Sequence, residues 1–441
     1  MTPIHRNSKP SPSLKRILGV CAAMSVPALW VSGILGNALS LEATAAFTVA
    51  LILLCAMIPQ RRLDATLTII TLITSISLTL CVADTALRLF AGPLVYYRAH
   101  SELVRQDSKH PGLTRYVPNA RSDRSTFGDL AAMLGDPRHR VQRREVFETD
   151  ERGFRTSTRD RERPFDLIIL GDSFGMGLGS TQEETWTSLL EHNGHHIYNL
   201  SMPATCPAHG AARLALELPS LALTENATVI VPVYVGNDLE ECTQEIDAKL
   251  SAESPSSLTS ARIAIDDYQS RSPLRQFAMR LVYRWLFADP VVTARDLPDG
   301  ACVLFYKPHV RAAQLSVNDV QHSPNFLVLT KALSRIQTIS QKHHLAMVVV
   351  ILPTKEEIYG WMLRNGSPDP APQNSSPFAQ AITTFCASQK IASHDLTPQF
   401  MDAANSSFKN GKLLWWRDDS HWNHTGHDVA SRLISQALKT K

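Results

Sequence analysis

Between Ile17 and Leu89 the chain loses almost every charged side chain, and this block constrains the fold more than any other feature of the 441 residues. Three apolar stretches can be cut from it: Ile17 to Leu35, Ala45 to Ile58 (from Leu41 if it is to reach spanning length), and Ala65 to Val82. Each is at or near the roughly 20 residues with which a helix crosses a bilayer. A cleaved signal peptide followed by a buried helical hairpin fits less well, because no Ala-x-Ala-like cleavage chemistry follows Leu35 and two further stretches come after it. Arg6, Lys9, Lys15 and Arg16 precede the first stretch and Arg61-Arg62 separate the second from the third, while the connector Gly36 to Ser40 is uncharged. Under the positive-inside rule, residues 1–90 are expected to form a membrane anchor of three transmembrane helices with a cytoplasmic N-terminus. Everything after Leu89 then lies outside, which in a bacterium is the periplasmic or extracellular side of the inner membrane.

The rest reads as ordinary soluble sequence. A net charge of +3 argues against a nucleic-acid-binding footprint, and 44% hydrophobic residues exclude disorder throughout. Residues 91–163 carry many charges and few long apolar runs, as expected of a stalk and lead-in, with Thr149 to Arg155 as a short edge element. From Phe165 strand, turn and helix alternate: strand Phe165 to Leu170, helix Thr181 to Glu191, strand Ile197 to Leu200, helix Ala211 to Leu223, strand Thr228 to Val235. Near-continuous apolar strands separated by helices predict a parallel sheet covered on both faces. An inserted segment at about 240–299 interrupts the pattern. Its Leu274 to Ala288 part reads as a helix whose aromatic stripe, Phe277, Tyr283, Trp285 and Phe287, is core packing. The alternation resumes with helix Phe326 to His343, strand Leu345 to Leu352, helix Phe378 to Lys390 and a last helix from Thr425, so that 164–441 form one catalytic domain.

Chemistry-bearing residues gather at three places. The first strand ends in Gly171-Asp172-Ser173-Phe174-Gly175, where a serine beside small residues can be lifted into a cleft to attack a carbonyl. As a phosphate loop the string lacks the Gly-x-x-x-x-Gly-Lys-Ser/Thr order. As Gly-x-Ser-x-Gly it matches the nucleophile elbow of α/β-hydrolases, an alternative esterase fold, although that elbow falls in mid-domain and this serine opens the domain. The strong strand is followed by Gly236-Asn237-Asp238, and near the C-terminus stands Asp418-Asp419-Ser420-His421-Trp422-Asn423. An acid two or three residues before a histidine can reach the same imidazole and hold its tautomer. Taken singly, Ser173 is a turn residue or helix cap, Asn237-Asp238 a turn, and Asp419 a cap. His421, His424 and His427 lie three apart, but without a matching acidic or cysteine set no metal is expected, nor any other cofactor.

The ordered set resembles the SGNH (GDSL-like) hydrolase superfamily, and the Asp-Ser-His-Trp-Asn string is similar to its membrane-anchored, exported polysaccharide O-acetylation (alginate O-acetyltransferase-like) members. The resemblance implies an α/β three-layer sandwich with a central parallel sheet, here preceded by the N-terminal transmembrane helices. It makes Ser173 the nucleophile, His421 the general base, and Asp419 the acid that orients it, with Asp418 at the alternative spacing. Asn237 and the backbone N–H of Ser173 would hold the oxyanion. The third donor, normally a glycine, falls in Asn199 to Ala204, which has none, so Ser201 or Ala204 would supply it. In such a sheet Cys206 and Cys242 follow adjacent strand ends, and a disulfide between them is expected to clamp the oxyanion loops. Val348 to Tyr359 carries a Pro-Thr-Lys-Glu strand end similar to the same group, with Lys355 read as a surface lysine.

The implied reaction is acyl transfer through acyl-Ser173, to water or to a sugar hydroxyl, on acyl (by resemblance acetyl) esters of an envelope or exported glycan. A transferase role requires a partner such as a membrane-bound O-acyltransferase as acyl donor. The rival from another class is a catalytically inactive SGNH-like glycan-binding or scaffold module.

Overall fold

The computed structural model describes residues 98–439 apart from 99, 108, 111, 157–162, 252–271, 275–290, 298–299, 313–314 and 364–374, together with scattered residues between 68 and 88. The chain forms two compact units, Met1–Tyr96 with Ala261–Ala288, and Tyr97–Ser260 with Asp289–Lys441.

In the first unit residues 82–88 are helical, and the buried Asp84 accepts hydrogen bonds from Arg88 Nε at 2.7 Å and from Ser272 Oγ at 2.6 Å. Among the described residues no helix is long and apolar enough to cross a membrane. This overturns the expected three-helix membrane anchor, the membrane-anchored type of resemblance, and the topology and inner-membrane location drawn from them. A span needs an unbroken apolar helix of about 20 residues, and the helical run described here without a gap, residues 82–88, begins at the end of the third stretch and carries the ion-paired Asp84 and Arg88. The stretches Ile17 to Leu35 and Leu41 to Ile58, and part of Ala65 to Val82, lie outside the described residues. So does all but Leu274 of the expected aromatic helix Leu274 to Ala288.

The second unit is built on five parallel strands: β1 Phe165–Ile169, β2 Ile197–Asn199, β3 Leu223–Tyr234, β4 Ala346–Leu352 and β5 Ala392–Asp395, in the spatial order β5-β4-β3-β1-β2. Their side chains alternate between two cores, as the two-residue period of a strand requires. Ile168, Val229, Val231, Val349 and Ile351 pack under α2 Pro207–Glu217, α3 Pro324–Lys342 and α4 Pro377–Ser388. Leu167, Ile169, Ile230, Val348 and Val350 pack under α1 Trp186–His192, α5 Thr397–Phe408 and α6 His424–Lys439. The result is the expected α/β three-layer sandwich. β5 and α5 carried no readable signal; β5 is only four residues long and none of its side chains is fully buried.

Strand order fixes where a site can form. From β1 the chain moves to β2 on one side, and β3 lies on the other, so the C-terminal ends of β1 and β3 part to leave a crevice at the switch point. Residues 98–156 pair as Val104–Gln106 with Thr114–Tyr116 and as Arg121–Thr126 with Arg143–Glu148, enclosing the short helix Asp129–Leu134. Within 240–299 the structure places Val292–Asp296, paired with Cys302–Tyr306.

Candidate active site

At the end of β1 the backbone turns sharply. Asp172 caps the short helix Ser173–Met176, its carboxylate accepting the Phe174 N–H at 2.9 Å, and Gly177 closes that helix at φ 77°. Ser173 is thereby presented at the crevice. Its Oγ–H donates to His421 Nε2 at 2.8 Å, and His421 Nδ1–H donates to Asp419 Oδ1 at 2.9 Å. The imidazole lies over the Phe174 ring at 4.9 Å, and Phe174 stacks in turn on Tyr234 at 3.9 Å.

Every residue of the string that carries the histidine has a separate contact. Asp418 turns away from the imidazole, accepting the N–H groups of Gly128 at 2.7 Å and Val141 at 2.8 Å. Gly128 must be glycine, since a Cβ there would stand 1.9 Å from the Asp418 carbonyl oxygen. Ser420 donates its N–H to Asp129 at 2.8 Å; Trp422 is buried against Phe400; Asn423 accepts the Thr425 and Gly426 N–H groups and so starts α6. Of the two aspartates, Asp419 is the one joined to the imidazole.

Asp419 is also gripped by charges that sequence reading passed over. Arg98 Nη2 donates to both carboxylate oxygens at 2.7 and 2.8 Å, and Arg143 Nη2 donates to Oδ2. Burial alone would raise this carboxyl, but Arg98, the hydrogen bond from His421 and Arg143 hold it well below the usual carboxylate range. Burial, added to by the charge of Asp419, raises the neighbouring Asp129. Neither arginine could be found by pattern, because both come from the charge-rich segment before β1, 276 and 321 residues away.

Lys355, read as a surface residue, is fully buried. Its ammonium donates to the carbonyls of Trp416 at 2.8 Å, Arg417 at 3.2 Å and Asp419 at 3.1 Å, and burial pushes its pKa down to about 8. Lys355 is buried rather than exposed because the loop before His421 folds over the C-terminal end of β4 and turns three carbonyls toward its ammonium, that of Asp419 having no other donor.

At the end of β3, Asn237 Nδ2 donates to Glu241 Oε1 at 2.9 Å. Gly236 is as tightly required as Gly128, a Cβ there falling 2.3 Å from the Tyr234 ring. Beneath the loop three carboxyls crowd together. Burial and mutual repulsion raise Asp238, and burial raises Asp172 to about 6; burial and the Asp172 charge raise Glu241 to about 7. In the segment after β2, the Ser201 N–H is taken by Asn199 Oδ1 at 3.0 Å, which leaves Ala204 of the two expected third donors. Ala204 stands at φ 53°, the left-handed conformation that glycine adopts without strain. Cys206 and Cys242, whose Cα atoms are 5.7 Å apart, are joined in a disulfide linking the segments after β2 and β3.

Asp129, Asp419 and His421 could each turn a ligand atom toward one cation. The donor set does not fit one: two guanidiniums neutralise Asp419 and Ser173 takes the free imidazole nitrogen. His427 uses Nδ1 to accept the Trp186 N–H at 3.4 Å, and burial lowers its pKa to about 3.

The family described as ALGX, SGNH hydrolase-like domain, acetyltransferase AlgX, matches residues 314–441. The match contains Lys355, Asp419 and His421 and stops short of Ser173 and Asn237. At superfamily level this supports an SGNH/GDSL-type fold with enzymatic potential. No curated protein matches. Among solved structures, TesA is 13% identical over 62% of this chain and 98% of its own, with a TM-score of 0.32. The psychrotrophic esterase EstA from Pseudoalteromonas sp. is 15% identical over 62% and 96%, with a TM-score of 0.31. The acetyl xylan esterase AlAXEase is 11% identical over 62% and 98%, with a TM-score of 0.30. Similarities of this degree say nothing of the reaction.

Proposed function

We propose that this protein is an SGNH-type serine esterase or O-acyltransferase acting on acyl esters of a glycan, acetyl esters above all, through an acyl-Ser173 intermediate. The observation that carries the reading is the continuous relay from Ser173 Oγ through His421 to Asp419, with hydrogen bonds of 2.8 and 2.9 Å. As Oγ attacks the ester carbonyl carbon, its proton passes to His421 Nε2, and Asp419 stabilises the imidazolium. The Ser173 N–H, Asn237 Nδ2 and the Ala204 N–H are the donors assigned to the oxyanion. Collapse expels the alcohol, which takes the proton from His421. Water, or a sugar hydroxyl, then gives its proton to His421 and attacks the acyl carbon to release Ser173.

The test is labelling by a fluorophosphonate, which reacts only with an activated serine. One adduct on the Ser173 peptide is expected, together with hydrolysis of para-nitrophenyl acetate that Ser173→Ala and His421→Ala each abolish. An unlabelled protein with no esterase activity would leave the binding-module reading in place of this one.

A further inference from the structure

A cavity of about 380 Å³ opens beside the Gly236–Asn237 turn, a volume in the range of small-ligand sites. Val235, Leu239 and Phe378 give it an apolar wall, while His309, Glu240 and Glu357 bring polar groups. His309 belongs to a second histidine–carboxylate pair, separate from the relay at Ser173. Its Nδ1–H donates to Glu356 Oε2 at 3.0 Å, and Glu356 also accepts the Tyr306 N–H at 2.7 Å. Both side chains are buried, and the imidazole is fixed edge-on between Tyr306 at 4.9 Å and Tyr234 at 5.8 Å. Nε2 is then the ring nitrogen left to face the cavity, and it lies so near the turn that a Cβ on Gly236 would be 2.8 Å away. Burial disfavours the imidazolium, but Glu356 outweighs it and raises the pKa of His309.

The walls therefore offer an imidazole nitrogen, Nε2 of His309, and two carboxyl groups, one of which, Glu357, keeps a buried oxygen without a hydrogen bond. An acyl chain seated here would desolvate these groups and satisfy none, at roughly 1–3 kcal/mol for each. An anion would face Glu240 and Glu357. An uncharged ring bearing several hydroxyls meets all three demands: a hydroxyl, able to donate or accept, bonds Nε2, others donate to the carboxylates, and its C–H face lies on Phe378. We propose that this cavity is the subsite for the alcohol part of the ester, that this part is an uncharged sugar ring, and that His309, held by Glu356, is the residue that selects it. The inference rests on the esterase reading above for its substrate, and on the cavity alone for the sugar.

Two variants test it in the full chain: His309→Gln, which removes the imidazole, and Leu315→Trp, which narrows the cavity from a side chain outside the His309–Glu356 pair. The readout is the ratio of kcat/KM for an O-acetylated methyl glucoside to kcat/KM for para-nitrophenyl acetate. Both variants are expected to lower that ratio about tenfold or more, chiefly through KM of the glucoside. A ratio within about twofold of wild type, whether both rates fall or neither does, overturns the subsite. Binding of methyl glucoside to Ser173→Ala, followed by ligand-observed NMR, needs no catalysis. It should weaken when either second variant is added, and tighter binding of a methyl glucuronide would overturn the uncharged ring. If the wild type hydrolyses neither ester, the esterase reading fails and this binding measurement decides the sugar site by itself.

Discussion

Asp419 shares its carboxylate between His421, Arg98 and Arg143, whereas Asp418, one residue earlier, serves the backbone of Gly128 and Val141. The same functional group therefore carries two duties. Asp419→Asn keeps the size but removes the charge that holds the Nδ1–H tautomer, and it should lower kcat for an aryl acetate on the order of a thousandfold. Asp418→Asn retains one acceptor oxygen, so its kcat should stay within about tenfold while the melting temperature falls. Equal losses of kcat in the two variants, measured side by side, would contradict this division. Ala204 shows the reverse: an ordinary residue takes the conformation that glycine favours.

One side chain at the start of the helix Lys355–Leu363 gathers three carbonyls of the loop Trp416 to His421. Because that helix begins where β4 ends, sheet and loop are joined at one ammonium group. Lys355→Met would leave the Asp419 carbonyl without a donor and take one of two donors from the Trp416 and Arg417 carbonyls, and we expect a loss of roughly 1–3 kcal/mol in urea denaturation. The same variant should lower kcat without raising KM, since Asp419 and His421 sit on the loop that slackens and no substrate contact is removed. Unchanged kcat in a folded Lys355→Met protein would show that the loop holds its shape without the lysine.

Two properties belong to the whole second unit. The Cys206–Cys242 bridge spans 36 residues of sequence and joins the segments after β2 and β3, which are not adjacent as expected but flank β1. Closing such a loop contributes about 3–4 kcal/mol in the chain-entropy view. The Cys206→Ser/Cys242→Ser double variant should lose stability of that order, and the loss should be reproduced in wild type by reducing agent; an unchanged melting temperature in both would argue against it. Stability should also depend on pH through the carboxyls below the Asn237 loop. Glu241 titrates near 7 in the folded protein against an ordinary 4.5, so the folded state holds a proton that the unfolded chain has released. Its contribution is complete below about pH 4.5 and is lost as pH rises through about 7. Glu241→Gln keeps the acceptor for Asn237 and has no proton to lose. Its stability relative to wild type should therefore grow between pH 5 and pH 8, by up to roughly 3 kcal/mol. A difference that does not change with pH would remove Glu241 from this role.

What the chain determines by itself is local. Phe165 to Leu170 and Thr228 to Val235 are legible as strands because apolar residues dominate them, and α3 and α4 because theirs recur at the helical period; the first residues of β3, Leu223 to Ala227, are not, since Glu225 and Asn226 stand exposed there. Asp419 and His421 are legible as a pair because two residues' separation lets one side chain reach the other without help from the fold. The apolar block before Leu89 reads as membrane by composition, yet composition cannot say whether a stretch forms one unbroken helix, and among the described residues none is long and apolar enough. Tertiary structure decided the rest. Arg98, Asp129, Arg143 and Lys355 look like solvated charges in sequence, for a guanidinium that will be buried against a carboxylate is written with the same letter as one that faces water. Their burial follows from strand order, which parts the ends of β1 and β3 and packs the residues before β1 around Asp419. A charge is tolerated there only because a partner 321 positions away arrives at 2.7 Å, and no periodicity in the chain records that meeting.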